Sequence, residues 1–367
     1  MTAQNKRLLQ PGERIRVLVV DDSVVIRRLV AHALEGDPSI EVVGTASNGE
    51  IALQRIPQLN PDVITLDIEM PVMDGLETLK HLRPVHPQLR VIMFSTLTDG
   101  GAAITLKALS RGADDYVTKV SNEGSLDRSM ARLREELIPK IKQFFHLPAK
   151  PKPPRLDQRP ALAAPTIATA PRVARLAPKV LVIGVSTGGP NALGEILPTL
   201  PGDFPLPILL VQHMPPMFTR ILAERLHASC KLAVHEAHGG QEVTAGKILI
   251  APGNYHMKAI RNGTVVQVLI DQMEPQNSCR PAVDALFSSV GQVYGGAVIA
   301  VILTGMGTDG LHGARILKEQ GASILAQDEE TSVVWGMPGA VVNAGLADMV
   351  LPLNRIVPEI LNTVGRA

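Results

Sequence analysis

The stretch KVLVIGVSTGGPNALGEIL, residues 179–197, joins an apolar run to a glycine-rich turn and then to an amphipathic helical pattern. This succession is the repeating unit of a parallel sheet covered by helices. Ser186 lies in the turn. Such a turn has two common uses, because it can hold a serine nucleophile above the sheet or present backbone N–H groups to a phosphate.

Both halves of the chain repeat the pattern of apolar runs that alternate with helical periodicity. In the first half the predicted strands are 15–20, 40–46, 62–66, 90–94 and 114–118. In the second half they are 179–185, 206–212, 247–252, 263–270 and 297–304, with 322–328 as a further candidate. The sequence therefore predicts an α/β protein with two doubly wound, mostly parallel sheets.

A change of composition separates the two halves. In HLPAKPKPPRLDQRPALAAPTIATAPRVARLAP, residues 146–178, proline recurs and neither helix nor strand periodicity survives. Such a segment is typical of an extended, semi-rigid spacer. We predict a first domain over residues 1–140, a Pro/Ala/Arg-rich linker over 141–178 and a second domain over 179–367.

The overall composition excludes several classes of protein. Hydrophobic residues at 45% and charged residues at 19% of the 367 residues are typical of globular domains, and the net charge of +1 gives no reason to expect a nucleic-acid partner. Cys230 and Cys279 are far apart without ligand-like spacing, which argues against a disulfide framework or a zinc site. The chain has neither a signal-peptide pattern nor an apolar run of membrane length. We expect a soluble cytoplasmic protein without membrane insertion.

Polar side chains follow the predicted strands of the first half. Asp21 and Asp22 come after the first strand and Asp67 after the third, and carboxylates at the carboxyl edge of a parallel sheet meet there. Converging carboxylates favour a hard divalent cation such as Mg²⁺. Ser95 and Lys119 follow two further strands and can receive the oxygens of a phosphoryl group. This is the equipment for an aspartyl phosphate.

The motifs VLVVDDS, ITLDIEMPVMDG, MFST and DYVTK resemble those of the receiver domain of two-component response regulators, over about residues 14–138. The resemblance implies a flavodoxin-like, five-stranded domain that a partner histidine kinase phosphorylates on Asp67. It also implies roles for the residues around that position: Asp21, Asp22 and Asp67 as Mg²⁺ ligands, Ser95 and Lys119 as sensors of the phosphoryl group, and Tyr116 as the aromatic switch.

One residue departs from the receiver pattern. Most receivers have a proline after the lysine, usually with a cis peptide bond, and Val120 follows Lys119 here. A cis bond before a residue other than proline is costly, so we expect a different loop geometry at this point.

In the second half, Ser186 fits the nucleophile pattern better than a dinucleotide fingerprint. Ser186 occupies the place of the second glycine of G-x-G-x-x-G, and no acidic residue ends the next strand. By contrast, G-V-S-T-G fits G-x-S-x-G, His213 ends the second strand, and Asp309 follows the strand 297–304. A serine, an imidazole and a carboxylate at neighbouring strand ends can form a catalytic triad. A bare phosphate-binding turn at Gly188 and Gly189 stays open as the alternative.

The motifs VIGVSTGGPNAL, LVQHMPPMFT, LIAPGNYHM, RPAVDALF, ILTGMGTDG and VVWGMPGAV resemble the catalytic domain of the protein-glutamate methylesterases of bacterial chemotaxis, the CheB family. The resemblance implies hydrolysis of glutamate methyl esters, and deamidation of glutamines, on the cytoplasmic helices of methyl-accepting chemoreceptors. It makes Ser186 the nucleophile, His213 the general acid and base, and Asp309 its orienting partner. It further implies oxyanion or substrate contacts by Met306, Thr187, His256 and Arg280, and control by phosphorylation of the receiver.

Three other functions are consistent with parts of the sequence. A receiver fused to a DNA-binding module needs a basic recognition helix, and the second half has none. A receiver-gated hydrolase for another substrate is harder to separate, because the triad recognises the ester and not the protein that carries it. A catalytically silent docking protein is disfavoured by the three intact triad residues.

Overall fold

A computed structural model describes residues 7–119, 126–146 and 176–365. The first domain is built on a five-stranded parallel sheet in the order β3-β2-β4-β5-β6. Its strands, including a short parallel pair β1-β7 outside that sheet, are β1 (Arg7–Leu8), β2 (Ile15–Val20), β3 (Ile40–Ala46), β4 (Val63–Asp67), β5 (Arg90–Ser95), β6 (Asp115–Thr118) and β7 (Phe145–His146). Its helices are α1 (Val24–Glu35), α2 (Gly49–Leu59), α3 (Gly75–Val85), α4 (Asp99–Ser110) and α5 (Leu126–Lys142).

Polar side chains fix where the helices of this domain begin. Ser23, Asn48, Asp74 and Thr98 precede α1 to α4, and each side chain accepts a hydrogen bond from a backbone N–H of the first turn. Such caps satisfy donors that have no partner within the helix. Because the strands are parallel and each of these helices follows a strand, the turns that enter the helices lie at the carboxyl edge of the sheet, where Asp67 ends β4.

The second domain contains a seven-stranded parallel sheet in the order β10-β11-β9-β8-β14-β15-β16, and an antiparallel hairpin β12-β13. Its strands are β8 (Val180–Val185), β9 (Ile208–Gln212), β10 (Ala233–Glu236), β11 (Lys247–Ile250), β12 (His256–Asn262), β13 (Val265–Asp271), β14 (Val298–Ile302), β15 (Ser323–Gln327) and β16 (Met349–Leu351). Its helices are α6 (Gly189–Ile196), α7 (Phe218–Ser229), α8 (Val283–Tyr294), α9 (Leu311–Glu319), α10 (Met337–Asn343) and α11 (Leu353–Gly365), with a 3₁₀ turn at Leu197–Thr199.

The α/β class with two parallel sheets is confirmed, and two details of the second domain differ from the sequence predictions. The predicted strand 263–270 forms β13, but it pairs antiparallel with β12 outside the main sheet, because a turn at Gly263 reverses the chain. The strands β10, β12 and β16 were not predicted. They lie at the sheet edges or in the hairpin and are only partly buried, so they lack the apolar runs of the central strands.

The predicted domain boundary at residue 140 falls inside α5, which continues to Lys142. Beyond it, β7 pairs with β1, so the first domain includes residues up to His146. Most of the predicted linker, residues 147–175, lies outside the described residues. Within the part of the chain that is described, no helix is both long and apolar enough to cross a membrane.

The two domains pack directly against each other. Helix α4 and strand β6 of the first domain contact helices α6 and α7 of the second, and the rings of Tyr116 and Phe218 stack with centroids 4.8 Å apart. The backbone carbonyls of Leu106 and Leu109 in α4 accept hydrogen bonds from Arg225 and Asn191, at 2.6 and 2.8 Å. The face of the first domain that carries β6 therefore covers the second domain near the turn of Ser186.

Candidate active site and phosphorylation site

Ser186 lies at the carboxyl end of β8, in a turn that glycines allow. Gly188 has a φ of +79°, and a Cβ at this position would lie 2.6 Å from the Val333 side chain. The Ser186 N–H donates to the Thr304 carbonyl at 3.0 Å, so the turn is tied to the chain that follows the neighbouring strand β14. The serine is thus held at the carboxyl edge of the sheet, as a strand-to-helix nucleophile turn requires.

His213 and Asp309 meet at the same edge. His213 follows β9 directly, Asp309 lies in the loop between β14 and α9, and the His213 Nε2 atom is 2.8 Å from the Asp309 Oδ2 atom. The carboxylate is buried, with an exposed fraction of 2%. The structure therefore brings together the imidazole and the carboxylate that the sequence predicted to be partners.

Several donors fix the Asp309 carboxylate besides His213. The backbone N–H groups of Val283, Asp284 and Gly310 donate to it at 2.6, 3.1 and 3.0 Å, and the Asn277 side chain donates at 2.9 Å. Burial works to raise the pKa of Asp309, but the bond from His213 and these donors outweigh it and lower the pKa below the ordinary value. Asp309 is consequently a permanently charged acceptor at neutral pH.

The environment of His213 stabilises its protonated form. Burial works to lower the pKa of His213, but the hydrogen bond to Asp309 and the neighbouring Cys279 thiol outweigh it and raise the pKa to about 9. The Cys279 Sγ atom lies 3.7 Å from the second ring nitrogen, Nδ1. The nitrogen that is free of Asp309 therefore faces the thiol, and the structure records no hydrogen bond between the Ser186 hydroxyl and His213 among the described residues.

Gln212 is a part of this site that the sequence analysis missed. Its buried side-chain amide donates to the Ser186 carbonyl at 2.9 Å and to the His213 carbonyl at 3.3 Å, so one side chain ties together the backbones of both residues. A Cβ at position 189 would lie 1.9 Å from the Gln212 Oε1 atom, so this contact needs Gly189. The one signal in the sequence is that Gln212 immediately precedes His213.

Two backbone N–H groups beside Ser186 are free to bind an oxyanion. The N–H groups of Met306 and Thr187 donate to no protein acceptor among the described residues, and 39% of Met306 is exposed. Both residues lie in turns that adjoin Ser186, since a Cβ at Gly305 would lie 2.8 Å from the Ser186 Cβ. The Thr187 side chain is directed elsewhere and donates to Asp115 of the first domain at 3.1 Å.

His256 and Arg280, predicted to contact substrate, are engaged by the protein itself. His256 is fully buried, its Nε2 atom bonds the Glu274 carbonyl, and its Nδ1 atom accepts from the Ala282 N–H. The Arg280 guanidinium donates to the Asn254 side chain at 2.7 Å and to two backbone carbonyls at 3.1 Å. Both side chains thus hold the loop that carries Asn277 and Cys279 beside the triad.

The first domain gathers a second cluster at the carboxyl edge of its own sheet. The Asp21, Asp22 and Asp67 carboxylates offer oxygen atoms within 4.8 Å of one another. The Lys119 ammonium lies 2.6 Å from Asp67 and 3.1 Å from Asp21. Oxygen ligands at this spacing fit a hard cation such as Mg²⁺, which would occupy the carboxylate side of the cluster.

The surroundings of this cluster raise the pKa of Asp67, whereas the pKa of Asp309 is lowered. Burial and the charge of Asp21 raise the pKa of Asp67 to about 6, although the bond from Lys119 works to lower it. Burial works to lower the pKa of Lys119, but its bonds to Asp67 and Asp21 raise it. A buried carboxylate with a raised pKa beside another carboxylate favours a bound cation, and it marks a candidate reactive group.

The predicted sensors of the phosphoryl group differ in their surroundings. Ser95 is buried at the end of β5, and its hydroxyl accepts from Thr105 at 2.6 Å. Tyr116 is turned toward the second domain, where it stacks on Phe218. Val120, where the predicted loop departs from the receiver pattern, lies outside the described residues.

A buried polar cluster connects the first domain to the turn of Ser186. The Asp115 carboxylate, next to Tyr116, accepts hydrogen bonds from Lys140 at 3.3 Å, Gln143 at 3.0 Å and Thr187 at 3.1 Å. Thr187 directly follows Ser186 in the sequence, so this carboxylate links β6 to the nucleophile turn. The contact was not predicted, since it joins segments that are far apart in the chain.

Comparisons with known proteins agree with both domains. The family model for the CheB methylesterase matches residues 181–360, and the model for the response regulator receiver domain matches residues 17–131. The protein-glutamate methylesterase/protein-glutamine glutaminase of Trichodesmium erythraeum is 50% identical over 96% of this chain and 99% of its own length. The relative of the same description from Nocardioides is 51% identical over 97% of this chain and 96% of its own length.

A solved structure supports the fold of the second domain. The crystal structure of the CheB methylesterase catalytic domain of Thermotoga maritima is 44% identical, with a TM-score of 0.50, and covers 52% of this chain and 100% of that chain. Since full-length relatives share 41% to 51% identity with it, the chain belongs to the family of protein-glutamate methylesterases/protein-glutamine glutaminases that carry a receiver domain.

Proposed function

We propose that Ser186, His213 and Asp309 carry the activity of this family in the present chain, the hydrolysis of γ-glutamyl methyl esters and the deamidation of glutamines on chemoreceptors. The observation that carries the proposal is the 2.8 Å contact between His213 and Asp309, beside a serine turn that Gln212 ties to His213. Neither a phosphate-binding turn nor a docking module needs this arrangement.

The chemistry follows from the roles of the three side chains. The Ser186 hydroxyl attacks the ester carbonyl and gives its proton to the His213 Nδ1 atom, because Asp309 already holds Nε2. The Met306 and Thr187 N–H groups stabilise the oxyanion. His213 then protonates the departing methanol, and a water molecule, activated by the same imidazole, hydrolyses the glutamyl–serine ester to the carboxylate. A glutamine follows the same route with ammonia as the leaving group.

We also infer that the arrangement described here is the resting form. The hydrogen bond to Asp309 and the neighbouring Cys279 raise the pKa of His213, which favours its protonated form over the neutral form that accepts the serine proton. The first domain lies over the turn of Ser186, and its Asp115 carboxylate accepts a hydrogen bond from the Thr187 hydroxyl. Separation of the two domains would release Thr187 and open the site to a receptor helix.

Phosphorylation of Asp67 is the proposed trigger for this separation. Asp21, Asp22 and Asp67 would hold Mg²⁺, which would supply positive charge to the phosphoryl oxygens and the carboxylate, and Lys119 would pair with the phosphoryl group. Movement of Lys119 and β6 would disturb Tyr116 and Asp115, two residues of β6 that contact the second domain. The partners are a histidine kinase as phosphodonor and methyl-accepting chemoreceptors as substrate, and the location is cytoplasmic.

The decisive experiment is an assay of methanol release from membranes with methylated receptors. Ser186→Ala should lose at least about 10⁴-fold in rate, because the nucleophile is absent. Ser229→Ala, at the exposed end of α7, is the matched control and should retain the rate. Equal rates for wild type and Ser186→Ala would exclude Ser186 as the nucleophile.

The same assay tests the trigger. Asp67→Asn should keep the basal rate and lose the stimulation that a small phosphodonor with Mg²⁺ gives the wild type, and full stimulation of this variant would refute the gating proposal. If receptors release no methanol while a small methyl ester is hydrolysed by wild type and not by Ser186→Ala, the chain is a receiver-gated hydrolase for a different protein ester.

A further inference from the structure

Cys279 has a position that the esterase chemistry does not use. Its Sγ atom lies 3.7 Å from the Nδ1 atom of His213, and the thiol belongs to the same cluster as the Asp309 carboxylate, with one potential ligand atom from each residue within 4.8 Å of the others. The loop around Cys279 is anchored on both sides, because Asn277 donates to Asp284 at 2.8 Å and Arg280 donates to Asn254 at 2.7 Å. The thiol is therefore held beside the imidazole by contacts that do not depend on the thiol itself.

The separation of the two atoms fits a shared metal ion. With Zn–N and Zn–S bonds of about 2.1 and 2.3 Å, a tetrahedral angle places the nitrogen and the sulfur about 3.6 Å apart. The Cys279 and His213 atoms are 3.7 Å apart, so a zinc ion fits between them with little movement. Thiolate and imidazole are the ligands that zinc prefers, whereas Mg²⁺ prefers oxygen.

The other side of the imidazole is arranged as in zinc sites. A histidine that binds zinc commonly donates its second ring N–H to a carboxylate, which fixes the tautomer and orients the ring. The Asp309 carboxylate occupies this position at 2.8 Å from Nε2, which leaves Nδ1, 3.7 Å from the Cys279 Sγ atom, as the ring nitrogen available to a metal. The side chains of His213, Cys279 and Asp309 thus form a cluster with metal-ligating atoms within 4.8 Å.

We propose that this chain binds Zn²⁺ between His213 Nδ1 and Cys279 Sγ, with solvent at the remaining positions, and that the bound ion inhibits the esterase. The inhibitory part rests on the proposed function, because the metal occupies the nitrogen that must accept the Ser186 proton. Binding releases the thiol proton and any proton on Nδ1, and removal of the metal by a chelator restores the free imidazole. The spacing of cysteines and histidines in the sequence did not reveal this pair, because its two members are 66 residues apart.

Binding is tested without reference to esterase activity. Co²⁺ is the probe for the untagged full chain, because a cobalt–thiolate bond gives a charge-transfer absorption. A phosphine reductant keeps the thiols reduced, and Mg²⁺ in large excess occupies the Asp21, Asp22 and Asp67 cluster. Wild type should show this absorption at one equivalent and lose it when Zn²⁺ is added. Cys279→Ser should lose the band, and Cys230→Ser, which removes the other cysteine, should keep it.

Inhibition is measured as the ratio of methanol release with buffered Zn²⁺ to release without it, within each variant. The concentration of free Zn²⁺ for half inhibition should rise at least tenfold in Cys279→Ser and remain unchanged in Cys230→Ser. An unchanged cobalt band and unchanged inhibition in Cys279→Ser would overturn the proposal. Ser186→Ala separates the two proposals, because it should bind Co²⁺ like wild type although it is inactive.

Discussion

The two reactive carboxylates of this chain, Asp67 and Asp309, occupy equivalent places in two similar sheets and have opposite properties. Each lies at the carboxyl edge of a parallel sheet, is 2% exposed and contacts a basic side chain. Asp309 also accepts from three backbone N–H groups and one side-chain amide, whereas Asp67 faces the charge of Asp21. The pKa of Asp309 is lowered, and the pKa of Asp67 is raised.

The difference shows what suits a carboxylate to each task. A carboxylate whose lone pairs are filled by fixed donors orients and stabilises a neighbouring imidazolium without reacting itself. A carboxylate with few donors beside another negative charge is a better binding site for a cation and keeps an oxygen available to attack phosphorus. The number of hydrogen-bond donors, more than burial, therefore separates the two roles.

The largest expected effect comes from removal of the charge at Asp309. Asp309→Asn should reduce the rate of methanol release by about 10⁴-fold, because an amide favours the wrong tautomer of His213 and cannot stabilise the imidazolium. Single-turnover release from methylated receptors measures this effect. Asp284→Asn is the control, since Asp284 is buried nearby and bonds Gly313 and Asn277 without contacting His213. Equal losses in both variants would indicate a folding defect rather than a role in the triad.

An intermediate effect is expected on stability at Asp67. Its pKa is about 6 in the folded chain against 3.8 ordinarily, so the folded state binds the proton more tightly than the unfolded state. Stability from this group is therefore present below about pH 4 and is lost as the pH rises to about 6. The free energy of unfolding of Asp67→Asn, relative to wild type, should accordingly increase between pH 4 and pH 6 and then level off.

Urea unfolding at several pH values measures this difference, and saturating Mg²⁺ should reduce it above pH 6. The same comparison for Asp309→Asn should have the opposite sign. Because the pKa of Asp309 is lowered, its contribution is present above about pH 4 and is lost as the pH falls through the folded value. A pH-independent difference for both variants would mean that the two carboxylates do not differ in the way described.

The sequence was sufficient for the parts of both sites that lie at strand ends. Apolar runs predicted the central strands. Because the carboxyl ends of parallel strands lie at one edge of a sheet, the sequence also predicted that Asp67 lies near Asp21 and that His213 lies near Asp309. Contacts made by loops could not be predicted in this way. Asn277 and Cys279 reach the triad because a loop with left-handed residues folds over it, and no periodicity encodes that path.

Side-chain roles were also harder to predict than positions. His256 and Arg280 lie close to the expected region, but their polar atoms are taken by Glu274, Ala282 and Asn254. Whether a polar side chain faces a substrate or the protein depends on which backbone groups of other segments need a partner, and a single sequence does not contain this information.

The smallest expected effect concerns the contact through which the Asp67 site communicates with the triad. Tyr116→Leu removes the stack on Phe218, and such a ring pair stabilises a contact by about 0.5–1.5 kcal/mol beyond its buried area. The docking equilibrium should therefore shift about two- to tenfold toward separated domains. Basal methanol release should rise by the same factor, while the fully phosphorylated rate stays constant, so the ratio of stimulated to basal rate falls.

Arg220→Ala provides the matched control for this prediction, because Arg220 joins Asp99 across the same boundary through an exposed ion pair. Exposed ion pairs contribute little to stability because water and salt screen them, so the basal rate should change less than in Tyr116→Leu. An unchanged basal rate in Tyr116→Leu, with normal phosphorylation of Asp67, would mean that the stack does not restrain the triad. The connection would then rest on the Asp115–Thr187 hydrogen bond, because this is the contact that reaches the residue next to Ser186.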